Sequence, residues 1–134
     1  MPVPDVNPAP RVLVVDDEPH VRSMLCDLLT LWGYRPVAAA NAREALSRFA
    51  EGGWDLVVSD LIMPGMSGLE LAEQVRSRDI SVEFIMLTAS AADLEAHTRR
   101  LRCTVVRKPL PLAELEAAVR EALARRRARV ARTA

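Results

Sequence analysis

The chain has 134 residues, of which 50% are hydrophobic and 27% charged, with Lys+Arg and Asp+Glu balanced at 18 each. That length suits one domain able to bury roughly 70% of its unfolded surface, and the composition excludes a disordered or collagen-like chain. Zero net charge gives no global pull toward nucleic acid or membrane, and no apolar run approaches the ~20 residues of a bilayer span.

Residues 1 to 10, MPVPDVNPAP, hold four of the nine prolines and little that could pack, which predicts an extended leader before a fold spanning 11 to 125. The leader lacks the basic and apolar regions of a signal peptide, so a cytoplasmic protein is expected. RVLVV (11 to 15) reads as a strand. The helix after it carries Val21, Leu25, Leu28, Leu29 and Trp32 at helical spacing, with Pro19 in its first turn and Gly33 at its end. RPVAAA (35 to 40) is a weaker strand, followed by a helix begun by Asn41, marked by Ala42, Ala45, Leu46 and Phe49, and closed by Gly52 and Gly53.

DLVVSD (55 to 60) is an apolar run ending in an acid. The loop LIMPGMSG then leads to a helix that buries Leu69, Leu71, Ala72 and Val75, and EFIMLTA (83 to 89) reads as a central strand. A polar, Ala-rich helix is expected over 91 to 101 and a last strand over 104 to 108. A final helix over 111 to 127 places Leu112, Leu115, Ala118, Val119 and Ala122 on one side. Beyond it, 126 to 134 reads as an Arg-rich tail. Cys26 and Cys103 have no CxxC spacing and no nearby His, and are read as small packed hydrophobes. His20 and His97 are read as solvated helix residues.

Five strand-helix units with near-continuous apolar strands predict an α/β fold with a parallel sheet covered on both faces. In such sheets the ligand site lies beyond the carboxyl ends of the strands. Asp16 and Asp17 follow the first strand, Asp60 ends the third, Thr88 lies near the end of the fourth and Lys108 ends the fifth, so these groups should converge on one edge. Three carboxylates against one lysine leave a pocket too acidic to stand alone, and hard oxygen ligands of this kind suit Mg²⁺. A carboxylate beside such a cation can attack phosphorus, and Asp60 is the best-placed nucleophile, with Thr88 as hydroxyl donor and Lys108 as point charge.

The ordered motifs VLVVDDEP, VVSDLIMPGMSG, IMLTAS and VVRKP resemble the receiver domain of two-component response regulators. The resemblance covers 11 to about 125. It implies a flavodoxin-like (βα)5 fold with a five-stranded parallel sheet of order 2-1-3-4-5, the order of a chemotaxis member of that family. It implies that Asp60 accepts a phosphoryl group from a histidine kinase or histidine phosphotransfer protein, and that Thr88 and Lys108 contact the phosphoryl oxygens. Mg²⁺ is then bound by Asp17, Asp60 and the backbone carbonyl of Ile62, with Asp16 acting largely through water. It further implies a cis Lys108–Pro109 bond and control of a downstream effector protein. The protein is expected to be a signalling phosphoacceptor, not an enzyme with a separate substrate, and a monomer or phosphorylation-dependent dimer.

Three positions depart from the pattern. Val105 stands where such proteins usually carry Tyr or Phe, and a β-branched aliphatic has no ring to expose. Leu101 and Arg102 replace the common Gly-Ala, and the segment from Thr88 to Lys108 is short. Arg125, Arg126, Arg127, Arg129 and Arg132 are read as the solvated, dipole-compatible end of the last helix, because no aromatic platform or helix-turn-helix accompanies them. No direct nucleic-acid contact and no membrane contact are expected. With Met1 at its start and no second folded segment after the helix, a stand-alone receiver is expected, the tail being otherwise a linker. A pseudo-receiver that binds partners without phosphorylation is the alternative. An aspartyl phosphatase is disfavoured because Ile62 stands where a second acid would be needed, and a nucleotide enzyme because DDEP replaces a Gly-rich loop.

Overall fold

Five short runs rich in apolar residues form the sheet: β1 (Arg11–Val15), β2 (Arg35–Ala39), β3 (Leu56–Asp60), β4 (Glu83–Thr88) and β5 (Cys103–Arg107). Between and after them lie α1 (Pro19–Leu31), α2 (Ala42–Phe49), α3 (Gly68–Arg78), α4 (Glu95–Leu101) and α5 (Leu112–Thr133). This computed structural model describes residues 8–89 and 95–133. The part of the expected leader before residue 8, residues 91–94 of the expected helix over 91 to 101, and residue 134 of the expected tail lie outside the described residues.

All strand pairs are parallel and the order is β2-β1-β3-β4-β5, as the flavodoxin-like expectation required. The period-2 alternation of the strands divides the core in two. Leu13, Val15, Val57, Phe84 and Met86 pack with α2, α3 and α4 through Ala45, Phe49, Leu71, Val75 and Leu101. Val12, Val14, Leu56, Val58, Ile85 and Leu87 pack on the other face with α1 and α5 through Leu25, Leu29, Leu115, Val119 and Ala122. Each such side chain contributes about 1.5–3 kcal/mol on full burial, so two complete faces make a sheet that needs no further cover. Cys26 and Cys103 are free and half-buried on opposite faces, and burial pushes the Cys103 thiol up to about 11.

Local chemistry starts the helices where the sequence placed them. Asn41 caps α2, its Oδ1 accepting from the Glu44 amide at 2.8 Å, while Glu44 Oε2 reaches back past the cap to accept from the Ala40 amide at 3.0 Å. Ser67 caps α3 by accepting from the Glu70 amide. Among the described residues no helix is long and apolar enough to cross a membrane.

Three details differ from the sequence reading. Leu112 is 50% exposed, because it starts α5 before that helix reaches the sheet. Strand β5 begins one residue earlier and ends at Arg107, so Lys108 stands just beyond it. Helix α5 continues to Thr133, and three of its arginines are not simply solvated. Arg125 and Arg129 both pair with the buried Glu83 at the start of β4, and Arg126 pairs with Asp55 at 3.6 Å. These contacts draw the basic turns of α5 against the end of the sheet opposite the strand carboxyl termini, and a buried glutamate requires such partners.

The segment between α4 and β5 is held by an arginine of α3. Arg76 of α3 donates to the carbonyls of Leu101 (2.7 Å), Arg102 (3.3 Å) and Val82, and burial pushes its guanidinium down from the usual arginine range. Arg102 itself sits at φ 55°, in the left-handed region that favours glycine. Replacing Arg76 by Met leaves these carbonyls without their donor. The expected cost is about 2–3 kcal/mol in urea unfolding, and a loss below about 0.5 kcal/mol would show that the clamp does not stabilise the fold.

Candidate functional site

The carboxyl edge of the sheet is organised from β1 outward. The Asp16 amide still pairs with Ala39 of β2 at 3.2 Å, after which the chain turns: Asp16 Oδ1 accepts from the Glu18 amide at 2.9 Å. Glu18 then caps α1, its carboxylate accepting from the amides of His20 and Val21 at 3.2 and 3.1 Å. The third acid of the DDE run is thereby committed to the helix terminus, where its charge also suits the dipole. Asp16 and Asp17 are left for the site.

One oxygen each from Asp16, Asp17 and Asp60 lie within 4.8 Å of one another. Asp16 is only 1% exposed, and its Oδ2 is buried without a hydrogen-bond partner among the described residues. Burial is the main cause that raises the Asp16 carboxyl above its ordinary value; the Glu18 amide opposes it, Asp60 raises it further, Lys108 lowers it and Asp17 raises it. Lys108 Nζ lies 3.2 Å from Asp60 Oδ1. One ammonium against three carboxylates leaves the cluster short of positive charge, and an unpartnered buried oxygen is where a hard cation would complete the balance. The residues present therefore fit Mg²⁺ by donor type and by charge.

Register places the remaining groups. Asp60 pairs with Leu87 across β3 and β4, so Thr88 lies one step further along the same edge, and the Thr88 carbonyl accepts from the Lys108 amide at 2.8 Å. The Lys108–Pro109 bond is cis. Ile62 stands two residues past Asp60 in the loop to α3, with its side chain 74% exposed. His20 and His97 are exposed on their helices and take no part, whereas Met63 is buried in the core beneath the loop.

Two contributors escaped the sequence reading. Gly68 opens α3 so close to the acid that a Cβ there would lie 2.2 Å from the Asp60 carbonyl and 2.8 Å from Met86 Sδ. Its only sequence signal was a glycine directly after a helix-capping serine. Arg22 reaches back from α1 to donate to the Asp16 carbonyl at 2.8 Å, a contact across a turn that spacing does not disclose.

Comparison with known proteins places this geometry among relatives. The family described as response regulator receiver domain matches residues 12–120. The chain is 39% identical over 116 residues to the regulatory protein AtoC of Escherichia coli, covering 84% of this chain and 25% of that protein. It is 36% identical to a probable transcriptional regulator, ycf27, of Guillardia theta, covering 90% of this chain and 48% of that protein. The chain thus spans a quarter to a half of the length of these curated relatives. Among solved structures, the response regulator TrrA of Thermotoga maritima, in complex with Mg²⁺ and BeF, is 37% identical with a TM-score of 0.77, covering 85% of this chain and 99% of that one. A signal receiver domain from an HD domain-containing protein of Pseudomonas fluorescens gives a TM-score of 0.86 at 29% identity, covering 98% and 99%.

Two outcomes follow from the packing. Gly68→Ala forces a methyl group against the Asp60 carbonyl and should destabilise the fold by about 2 kcal/mol or more in urea; a loss within 0.5 kcal/mol, roughly the neutral range for surface changes, would mean the close approach is absent in solution. Asp16→Asn should stabilise the metal-free protein at neutral pH by about 1 kcal/mol, since it removes a buried, crowded charge. A raised carboxyl pKa favours folding below the unfolded value and loses that contribution as pH rises through the folded value. The gap between variant and wild type in EDTA should accordingly close on acidification toward the usual aspartate range. A variant less stable than wild type at neutral pH would contradict the charge argument.

Proposed function

This chain belongs to the response regulator receiver family, and from that membership we propose that it is a phosphorylation-controlled signalling module whose acceptor is Asp60. The observation that carries the reading is the meeting of Asp16, Asp17 and Asp60 within 4.8 Å, with Lys108 3.2 Å from the acceptor. The donor is a phosphohistidine of a histidine kinase or histidine phosphotransfer protein. Asp16, Asp17, Asp60 and the backbone carbonyl of Ile62 would hold Mg²⁺. When bound, the ion supplies the positive charge that the three carboxylates lack and offsets charge on the transferring oxygens.

The chain's own groups then have defined tasks. An Asp60 carboxylate oxygen attacks phosphorus; the new P–O bond forms as the P–N bond to the donor imidazole breaks, and the imidazole leaves with a proton from solvent. Lys108, already beside Asp60, pairs with the phosphoryl oxygens, and the Thr88 hydroxyl donates to one of them. Hydrolysis reverses the state: water attacks phosphorus, the acyl P–O bond breaks, phosphate leaves and the Asp60 carboxylate is restored. The added charge of about −2 draws Thr88 and Lys108 toward the phosphoryl group and biases a surface equilibrium that a downstream effector protein reads.

The test is intact-mass measurement after incubation with acetyl phosphate. Wild type should gain one phosphoryl group when Mg²⁺ is present and none in EDTA, and folded Asp60→Asn should gain none. Uptake by the variant would remove Asp60 as acceptor. No gain by wild type, with acetyl phosphate or with a panel of histidine kinases, would favour a pseudo-receiver that binds partners without phosphorylation.

A further inference from the structure

Asp16 and Asp17 share one peptide group, so whatever fixes that peptide fixes how both carboxylates meet Asp60. The amide of Asp16 is anchored to Ala39 and its Oδ1 to the Glu18 amide. Its carbonyl lies past the end of β1, where the ladder no longer supplies a partner, and is taken instead by Nη1 of Arg22 at 2.8 Å. Arg22 is half-buried, and its own amide donates to the Glu18 carbonyl at 3.0 Å as α1 winds out of the turn. The guanidinium therefore ties the first turns of α1 to the peptide that carries the acidic pair. Charge-assisted bonds of this kind are stronger than neutral ones, and a planar donor limits rotation of the group it holds.

We infer that Arg22 is a positioning residue for cation binding: it orients the Asp16–Asp17 peptide so that the carboxylates on either side of it converge with Asp60. This rests on the Mg²⁺ site proposed above. Its consequence has a sign opposite to that of simple electrostatics. Arg22 is a cation near an acidic cluster, so loss of its charge alone should tighten Mg²⁺ binding. Loss of its hold on the Asp16 carbonyl should weaken it, because ligands that must be reoriented on binding cost affinity.

Calorimetric titration with Mg²⁺ alone, without any phosphoryl donor, separates the two. Arg22→Met keeps the length and apolar stem but no donor, and should weaken Mg²⁺ binding about tenfold, the lower end of the range for groups that orient metal ligands. Arg22→Lys, which retains one donor for the carbonyl, should recover part of the loss. Circular dichroism establishes that each variant is folded; where the Met variant is not, the Lys variant decides, with weakened binding expected. Affinity unchanged or tighter than wild type in a folded variant overturns the inference. Absence of Mg²⁺ binding by wild type instead overturns the cation site itself, and so distinguishes failure of the underlying proposal from failure of the role given to Arg22.

Discussion

The arrangement depends on one electrostatic constraint: a parallel sheet that ends two adjacent strands, β1 and β3, in carboxylates at the same edge must accommodate like charges within 4.8 Å of each other. The fold relieves part of this strain locally. Lys108 faces Asp60, the Glu18 amide bonds Asp16, and Glu18 turns away to cap α1. The relief is incomplete, because Asp16 keeps a buried oxygen with no partner among the described residues and its carboxyl is raised above the ordinary range, chiefly by burial. Such an edge is unfavourable on its own and well suited to a divalent cation and to a carboxylate nucleophile.

The remainder of the molecule packs behind that edge. Both faces of the sheet are covered, and the opposite end is fixed by Glu83, Asp55 and the arginines of α5. The connection between α4 and β5 is clamped by Arg76 through the Leu101, Arg102 and Val82 carbonyls. With half-buried Val105 and with Arg102 strained at φ 55°, this side of the domain is held by backbone clamps.

Much of this was legible in the sequence, for identifiable reasons. The β-branched runs at 11 to 15 and 56 to 60 alternate between two faces and are short, so they could only be buried strands, and the strand-end rule then gathered Asp16, Asp17, Asp60, Thr88 and Lys108 on one edge. Capping chemistry located the start of α2 at Asn41 to the residue. What escaped were contacts whose partners are far apart or hidden by a turn. Arg125 and Glu83 are 42 residues apart, so the Arg-rich segment looked solvated and the last helix looked shorter than it is. Arg22 lies six residues from Asp16 across a turn, and Gly68 is required by a backbone contact that no periodicity encodes.

The proposed chemistry of this edge resides on Asp60 and not on its two acidic neighbours. The most direct measurement is to treat the phosphorylated protein with borohydride, which reduces an acyl phosphate to an alcohol, and to sequence the product by tandem mass spectrometry. Homoserine is expected at position 60, with Asp16 and Asp17 unchanged. Homoserine at 16 or 17, with aspartate intact at 60, would contradict that assignment.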